Sequence, residues 1–510
     1  MEDFAKIASI LIYLAILLFI GWIASRRMSN VREYYAAGKN LSFLPAAFSA
    51  RATGESAWLL LGLTGMGAAY GAQAFWVVLG EVLGVGLSWL WLCKRFKILT
   101  DRYDSVTVPD YLESRFRDTR HLLRRVSAVT LVVFVTIYVS AQIDATGQAF
   151  ESFMGWNYYV GALIGFVIVM FYIIGGGFVA VVWSDVFQGT LMFLGLVILP
   201  FVGIAAAGGW GAVTDGLAAQ DPGLLSAWGP DGFSAMTVFK TISFLLIGIG
   251  FLGSPQIFVR YIAMRSVKEV PKGGAFAIVY TLLSDSGAVL IGMIGRHLFM
   301  EVDLGESGQE VLPVMVENLL PALLVGVYVA IVLSAIMSSV DSLLVLASSA
   351  FTRDYWQKVR HPELGDDKLV GFGRRTTFVL ALIALGISFI VAATTPDRTI
   401  FWFVIFGWSG IAATFCPTMI LSLFWKRMTR RGAIAGMLTG FLSIPFFKFV
   451  APNFPGDVGM AFNNLEELAP SFAMSFLAII LVSKLDKHGQ ERLMDVHAEL
   501  DSLRGPQDPI

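Results

Sequence analysis

Charge is scarce in this chain of 510 residues. Asp, Glu, Lys and Arg make up 15% of it, against about 25% in ordinary soluble domains. Lys and Arg (37) nearly balance Asp and Glu (38), leaving a net charge of −1. A chain with no basic excess has no electrostatic footprint for nucleic acid. The two cysteines, Cys93 and Cys416, both fall in or beside apolar stretches, so no disulfide framework is expected. The five histidines are scattered without metal-ligand spacing, which leaves no zinc or haem motif. No phosphate-cradling Gly loop occurs either. Gly175, Gly176 and Gly177 lack the Lys-Ser/Thr that a P-loop requires and read instead as a tight turn between helices.

What remains is apolar: hydrophobic residues account for 56% of the chain. A helix needs about 20 residues to cross the hydrocarbon core of a bilayer. Runs of that order fall near 5–25, 42–70, 73–97, 123–150, 156–175, 178–207, 236–263, 271–299, 313–350, 374–394, 398–425, 431–451 and 468–484. This predicts an all-α polytopic membrane protein with about thirteen transmembrane helices. The first run follows Glu2 and Asp3 and is long for a signal peptide, so it reads as an uncleaved anchor. Residues 1–487 form one transmembrane unit and 488–510 a charged, partly helical tail, with no kinase or other output domain in the sequence.

The loops alternate in charge. Segments 26–39, 94–125, 260–272, 353–375 and 426–431 are basic. Between them, 208–235 carries Asp215, Asp221 and Asp231 without a base, and 301–317 carries Glu301, Asp303, Glu306, Glu310 and Glu317 likewise. Basic loops stay on the cytoplasmic side, which places the N-terminus outside and the C-terminus inside.

Against this background, the stretch PAAFSARATGESAWLLLGLTGMG (45–67) stands apart, because Arg51 to Ser56 interrupt an apolar segment. A helix broken at membrane depth persists only where protein or a water-lined cavity satisfies its backbone. Such breaks expose carbonyls and half-helix ends that hold coupling ions and solutes in secondary transporters. Ionisable groups at membrane depth mark pathways, and the candidates are Arg51, Glu55, Glu81, Asp144, Asp185, Asp285, Arg296 and Asp341. In IVLSAIMSSVDSLLVLASSAF, Ala335, Ser338, Ser339 and Ser342 recur at helical spacing with Asp341 on the same side. Stacked oxygens suit a hard cation such as Na⁺, and small residues equally suit close helix packing. Asp341 and the interrupted segment favour the ion site. Asp185 reads as a helix cap or a second cation ligand. Glu81 and Asp144 are compatible with simple pairing to nearby bases and are assigned no role.

These landmarks resemble the sodium/solute symporter family, most closely the bacterial sodium/proline symporters. The likeness runs through FSARATGESAWLLLGLTG, VTVPDYLESRF, YIIGGGFVAVVWSDVFQGTLM, GFLGSPQIFVRYIA, VLSAIMSSVDSLLVLASSA and FWKRMTRRGAIAGMLTG. The resemblance implies two inverted five-helix repeats, about 42–207 and 236–425, with broken core helices behind one extra N-terminal helix. It places a sodium site on the carbonyls of Ala52, Glu55 and Ala335 and the hydroxyls of Ser338 and Ser339. A second sodium site falls on Asp185, Ser338, Asp341 and Ser342. A solute pocket falls on Ser56, Trp58 and Tyr138, with Ile247 and Phe251 where the proline symporters carry a Trp and a hydroxyl. Gly54 stands where they carry an Asp, with the acid one residue later at Glu55. Arg51, at a position where a small residue is expected, is read as the ion-pair partner of Glu55, with recognition of a solute carboxylate as the competing role.

The expected function is sodium-coupled import of a small organic solute, an amino acid such as proline, across the cell membrane. Na⁺ is the co-transported ion, no covalent chemistry is involved, and no obligate protein partner is evident. A monocarboxylate, pantothenate or a sugar is the alternative solute. A transporter-like sensor and an ion channel are the alternatives of a different class.

Overall fold

The computed structural model describes residues 2–25, 37–365 and 369–503. Most of the basic segment 26–39, residues 366–368 of the segment 353–375 and the last part of the tail therefore lie outside the described residues. Nearly everything described is helical, and among the described residues the one β contact is an isolated bridge between Leu41 and Met264. The main helices in chain order are α1 (Glu2–Ser25), α2 (Phe43–Ala57), α3 (Thr64–Tyr70), α4 (Phe75–Leu87), α5 (Leu122–Met154), α6 (Tyr158–Ala206), α7 (Ala235–Leu246) and α8 (Pro255–Ala263). They continue with α9 (Val270–Leu298), α10 (Ala322–Ser349), α11 (Leu369–Thr394), α12 (Ile400–Phe424), α13 (Arg430–Phe449), α14 (Leu468–Leu485) and, in the tail, α15 (Met494–Ser502).

Among the described residues, eleven helices are long and apolar enough to cross a membrane. The expected spans 42–70 and 73–97 lie together in one 60-residue helical run, Phe43–Arg102. The expected span 156–175 overlaps a shorter apolar helix, Tyr158–Phe171. The Gly-rich turn proves to be a single-residue break inside α6, at Gly177 (φ 54°, ψ −175°).

The bundle is layered by what each helix turns outward. Helices α10 and α12 are almost wholly buried, whereas α1, α11 and α14 expose large apolar side chains such as Leu11, Phe19, Ile390 and Leu485. Water would penalise such a surface, and hydrocarbon does not. The inner helices pack closely enough that glycine is required at several crossings. A Cβ on Gly84 would sit 2.0 Å from the Gly248 carbonyl oxygen, and one on Gly248 would sit 1.9 Å from that of Gly80. These contacts press α4 against the turn Ile247–Leu252 that follows α7.

The polar interruption expected over Arg51–Ser56 is narrower than the sequence implied. Residues 51–55 are helical, and the break is confined to Ser56 (φ 42°, ψ −169°). A second discontinuous helix, which sequence reading took as one span, runs from α7 through the 3₁₀ turn Ile247–Leu252 to α8, with non-helical backbone at Gly253. Its signal is the run Gly253-Ser254-Pro255, since Pro seats at the first position of a new helix.

At the ends of α5 and α10, charges are gathered by pairing. Arg124 donates to Asp110, Glu113 and Asp354, and Arg353 lies 3.0 Å from Asp110. Asp110 caps the short helix Val108–Phe116, outside the candidate spans. Burial raises its pKa, but Arg353 and Arg124 outweigh this and hold it at about 2. Helix α15 docks beside that helix through Arg117 with Asp495 and Glu499, while Lys426 pairs with Asp501. The described tail thus forms two short helices, Lys487–Glu491 and Met494–Ser502, seated on the bundle.

The glycine crossing gives a direct test. Gly84→Ala should force α4 from the 247–252 turn and lower stability by about 1–3 kcal/mol, the usual cost of overpacking. Gly86→Ala meets its nearest atom at 3.5 Å and should be tolerated. Thermal unfolding of the purified variants reads both. Equal melting temperatures would contradict the packing described.

Candidate functional site

The break at Ser56 determines what the backbone of α2 can offer. An unbroken helix would give the Ala57 amide to the Thr53 carbonyl. Here that amide donates to the Gln142 side-chain carbonyl at 3.1 Å, and the Thr53 carbonyl accepts from the Ser339 hydroxyl at 3.1 Å. One residue earlier on each helix, the Ser338 hydroxyl lies 2.9 Å from the Ala52 carbonyl oxygen and 3.1 Å from that of Ala335. The helical spacing of α10 thus brings two hydroxyls onto two carbonyls of α2, with every participant buried.

Four of the five expected sodium ligands are therefore gathered at one contact: Ala52, Ala335, Ser338 and Ser339. The fifth, the Glu55 carbonyl, immediately precedes the break at Ser56, while the Glu55 side chain is engaged separately with Arg51 and Ser284. Thr53, which sequence reading did not select, supplies a carbonyl in addition. Its signal was position, one residue beyond Ala52 in the same interrupted segment. The site is built of carbonyls and hydroxyls, and among the described residues no three His, Cys, Asp or Glu side chains converge as a metal site. Neutral oxygens of this kind suit a monovalent hard cation.

The expected second cation set is arranged differently. The Arg260 guanidinium stands among its members. Its Nη2 donates to Ser342 Oγ (2.5 Å), Thr53 Oγ1 (2.7 Å) and Asp185 Oδ2 (3.2 Å), and its Nε donates to Ser49 (3.0 Å). Ser49 also donates to Asp185 at 2.6 Å. Ser338 faces the Ala52 and Ala335 carbonyls, and Asp341, fully buried on α10, lies within electrostatic reach of Arg260 and Tyr13. A guanidinium therefore already stands beside the Asp185 carboxylate. Sequence reading placed Arg260 in a basic loop, whereas α8 carries it inside, 1% exposed.

Around the break, the expected solute residues come together in part. Ser56 Oγ lies 3.0 Å from the Tyr138 hydroxyl and accepts from Gln142 at 3.3 Å. Trp58 turns its indole back to the Gly54 carbonyl (3.0 Å) and meets Phe401 edge-on. Ile247 and Phe251 lie on the other broken helix. The Trp408 indole of α12 donates to the Ile247 carbonyl at 3.1 Å and packs on the Phe251 ring. A Cβ on Gly54 would stand 2.8 Å from Phe251 Cε1, so the ring fills the space of the side chain that Gly54 lacks. Gln142, Gly54 and Trp408 are the members that sequence reading missed or left unassigned.

Arg51 and Glu55 share one helical turn and form a buried pair. Arg51 donates from Nη2 (2.8 Å) and Nε (3.2 Å) to the same Glu55 oxygen, and its guanidinium lies over the Phe251 ring. Asp144 pairs with Arg398 and Tyr158 at the edge of the bundle. Arg296 donates to the Ala68 carbonyl and to Gln220. These two therefore serve packing.

A family model for the sodium:solute symporter family matches residues 34–440. The chain belongs to the sodium:solute symporter family. It is 34% identical to the high-affinity proline transporter PutP of Bacillus subtilis, over 94% of this chain and 98% of that protein. A sodium/proline symporter of Staphylococcus aureus is 31% identical over 94% of this chain and 92% of its own length. Among solved structures, a Na⁺-coupled sialic acid symporter in a substrate-bound, outward-open state superposes with a TM-score of 0.77 at 18% identity. The match covers 95% of this chain and 98% of that one, so the symporter described here shares that fold.

The Arg51–Glu55 pair yields a prediction. Removing one partner of a buried pair typically costs about 3–5 kcal/mol. Arg51→Ala should therefore destabilise the symporter strongly, and Arg51→Ala/Glu55→Ala should recover part of the loss. A double-mutant cycle on thermal unfolding checks this, and zero coupling would contradict a bracing role.

Proposed function

We propose that this multi-pass membrane protein imports a small zwitterionic amino acid, proline first among the candidates, together with Na⁺. The observation that carries this reading is the docking of the Ser338 and Ser339 hydroxyls on the Ala52 and Thr53 carbonyls beside the break at Ser56. A modest rotation of the two hydroxyls turns their lone pairs, with the carbonyls of Ala52, Thr53 and Ala335, towards one dehydrated cation. The solute lies on the other side of the break, near Ser56, Tyr138, Gln142 and Trp58, so ion and solute share one strained residue. Neither part is complete until the broken helices close around both.

In the orientation implied by the basic loops, the N-terminus is outside and Na⁺ moves inward. A membrane potential of 100 mV contributes about 2.3 kcal/mol per charge, and a tenfold Na⁺ gradient adds about 1.4 kcal/mol. One ion thus sustains a solute gradient of roughly several hundredfold. One ion is the stoichiometry favoured here, because Arg260 supplies the positive charge beside Asp185. No covalent step is needed.

Uptake by purified protein in liposomes under an imposed Na⁺ gradient, against a panel of labelled amino acids with pantothenate, a monocarboxylate and a sugar, tests the function. Proline accumulation that collapses when choline replaces Na⁺ is expected, and accumulation indifferent to Na⁺ would refute the reading. Ser338→Ala/Ser339→Ala should raise the Na⁺ concentration for half-maximal uptake about tenfold or more, since each charge-assisted contact is worth about 1.5–3 kcal/mol. An unchanged Na⁺ dependence would assign these serines to packing. Reversal-potential measurements should give one Na⁺ per solute; two would contradict the role given to Arg260.

A further inference from the structure

On the opposite side of α2 from the Arg260 cluster, three carboxylates face one guanidinium. Arg51 contacts Glu55 at 2.8 Å, and both Glu81 on α4 and Asp285 on α9 at 3.9 Å. All four side chains are at most 1% exposed. Glu55 takes the close pair, which leaves Glu81 and Asp285 with no counter-charge of their own among the described residues. The polar atoms confirm the imbalance: Arg51 Nη1, Glu55 Oε2, Glu81 Oε2 and Asp285 Oδ2 are all buried without a hydrogen-bond partner. An unpaired carboxylate removed from water is strongly disfavoured and takes a proton instead.

Ser284 supplies an independent sign. Its single hydroxyl hydrogen faces several acceptors, the Tyr280 carbonyl (2.7 Å), Asp285 Oδ1 (3.1 Å), Glu55 Oε1 (3.2 Å) and, farther off, the Thr281 carbonyl (3.5 Å). One hydrogen cannot serve them all. A proton on Asp285 removes one of these demands, because Asp285 then donates to Ser284 Oγ instead of accepting from it. The other titratable groups within electrostatic reach are the phenols of Tyr138, Tyr261 and Tyr280. Among the described residues, none of these groups brings a positive charge. No three acidic side chains converge closely enough among the described residues to hold a metal.

We propose that Glu81 and Asp285 are a buried proton-binding site, in which both carboxyls are protonated while Arg51 and Glu55 form the single ion pair. Arg51 and Glu55 flank the Ala52 and Thr53 carbonyls, so the protonation state of the cluster is felt at the contact between α2 and α10. Water entering during the transport cycle allows these protons to exchange, which gives uptake a pH dependence of its own. This consequence rests on the symport reading above; the protonation itself does not.

Infrared spectroscopy of the purified protein in lipid tests the site without any solute. At neutral pH the wild-type protein should show the carbonyl stretch of protonated carboxylic acids. Glu81→Gln and Asp285→Asn should each remove one component, and Asp285→Glu should shift its component while keeping the carboxyl. A wild-type spectrum with no protonated band overturns the proposal without recourse to a variant. A band of unchanged strength in both amide variants also overturns it. So does a band that appears only when choline replaces Na⁺, which would make the cation sodium. In liposomes, the pH profile of Na⁺-driven proline uptake should flatten in Asp285→Asn. Absence of proline uptake in the wild type would fail the symport reading and leave the infrared result to decide the proton site.

Discussion

Every backbone polar group held at membrane depth must find a partner inside the protein, and in this chain that requirement converges on Ser56. One residue with a positive φ releases the helical hydrogen bonding of α2, and three neighbours respond. Gln142 takes the Ala57 amide, Ser339 takes the Thr53 carbonyl, and Ser338 reaches the Ala52 carbonyl. The strain at Ser56 persists because helices α5 and α10 hold it from two sides. Strained backbone retained in this way is characteristic of sites that bind and switch.

Two charge clusters flank that contact, and each is centred on a buried arginine. Arg260 stands beside Asp185, Thr53 and Ser342, a tethered cation among the oxygens expected of a second ion site. Arg51 stands among Glu55, Glu81 and Asp285 and leaves negative charge over. In the reading proposed above, the first cluster limits how many sodium ions are needed, and the second makes uptake sensitive to protons. Both act on α2, the helix whose carbonyls face α10.

Much of this was legible before any coordinates. The apolar runs, their length and the alternating loop charge are one-dimensional properties, so the membrane class followed directly. The spacing of Ala335, Ser338, Ser339 and Ser342 also survives folding, because a helix maps sequence intervals onto one face. The partners across that face were less accessible. Thr53 carries its contribution in its backbone, and Arg260 looks like any loop arginine until α8 turns it inward. Gly54 and Phe251 each read as a departure from the proline symporters, yet they form one adjustment, a ring filling the space left by a missing side chain. The break over residues 51–56 was placed correctly but drawn too wide, since polarity spreads over a segment while backbone strain can reside in one residue.

The central claim is that Na⁺ binds where α10 meets the broken end of α2. Hydrogen–deuterium exchange of the purified protein in Na⁺ and in choline addresses it directly, because a bound ion must restrain the backbone that supplies its ligands. Protection by Na⁺ should appear in peptides covering Ser49–Ala57 and Ala335–Ser342 and be weak elsewhere. Exchange in those peptides that is the same in both salts would contradict the account, as would protection centred instead on the segments carrying Asp185 and Arg260.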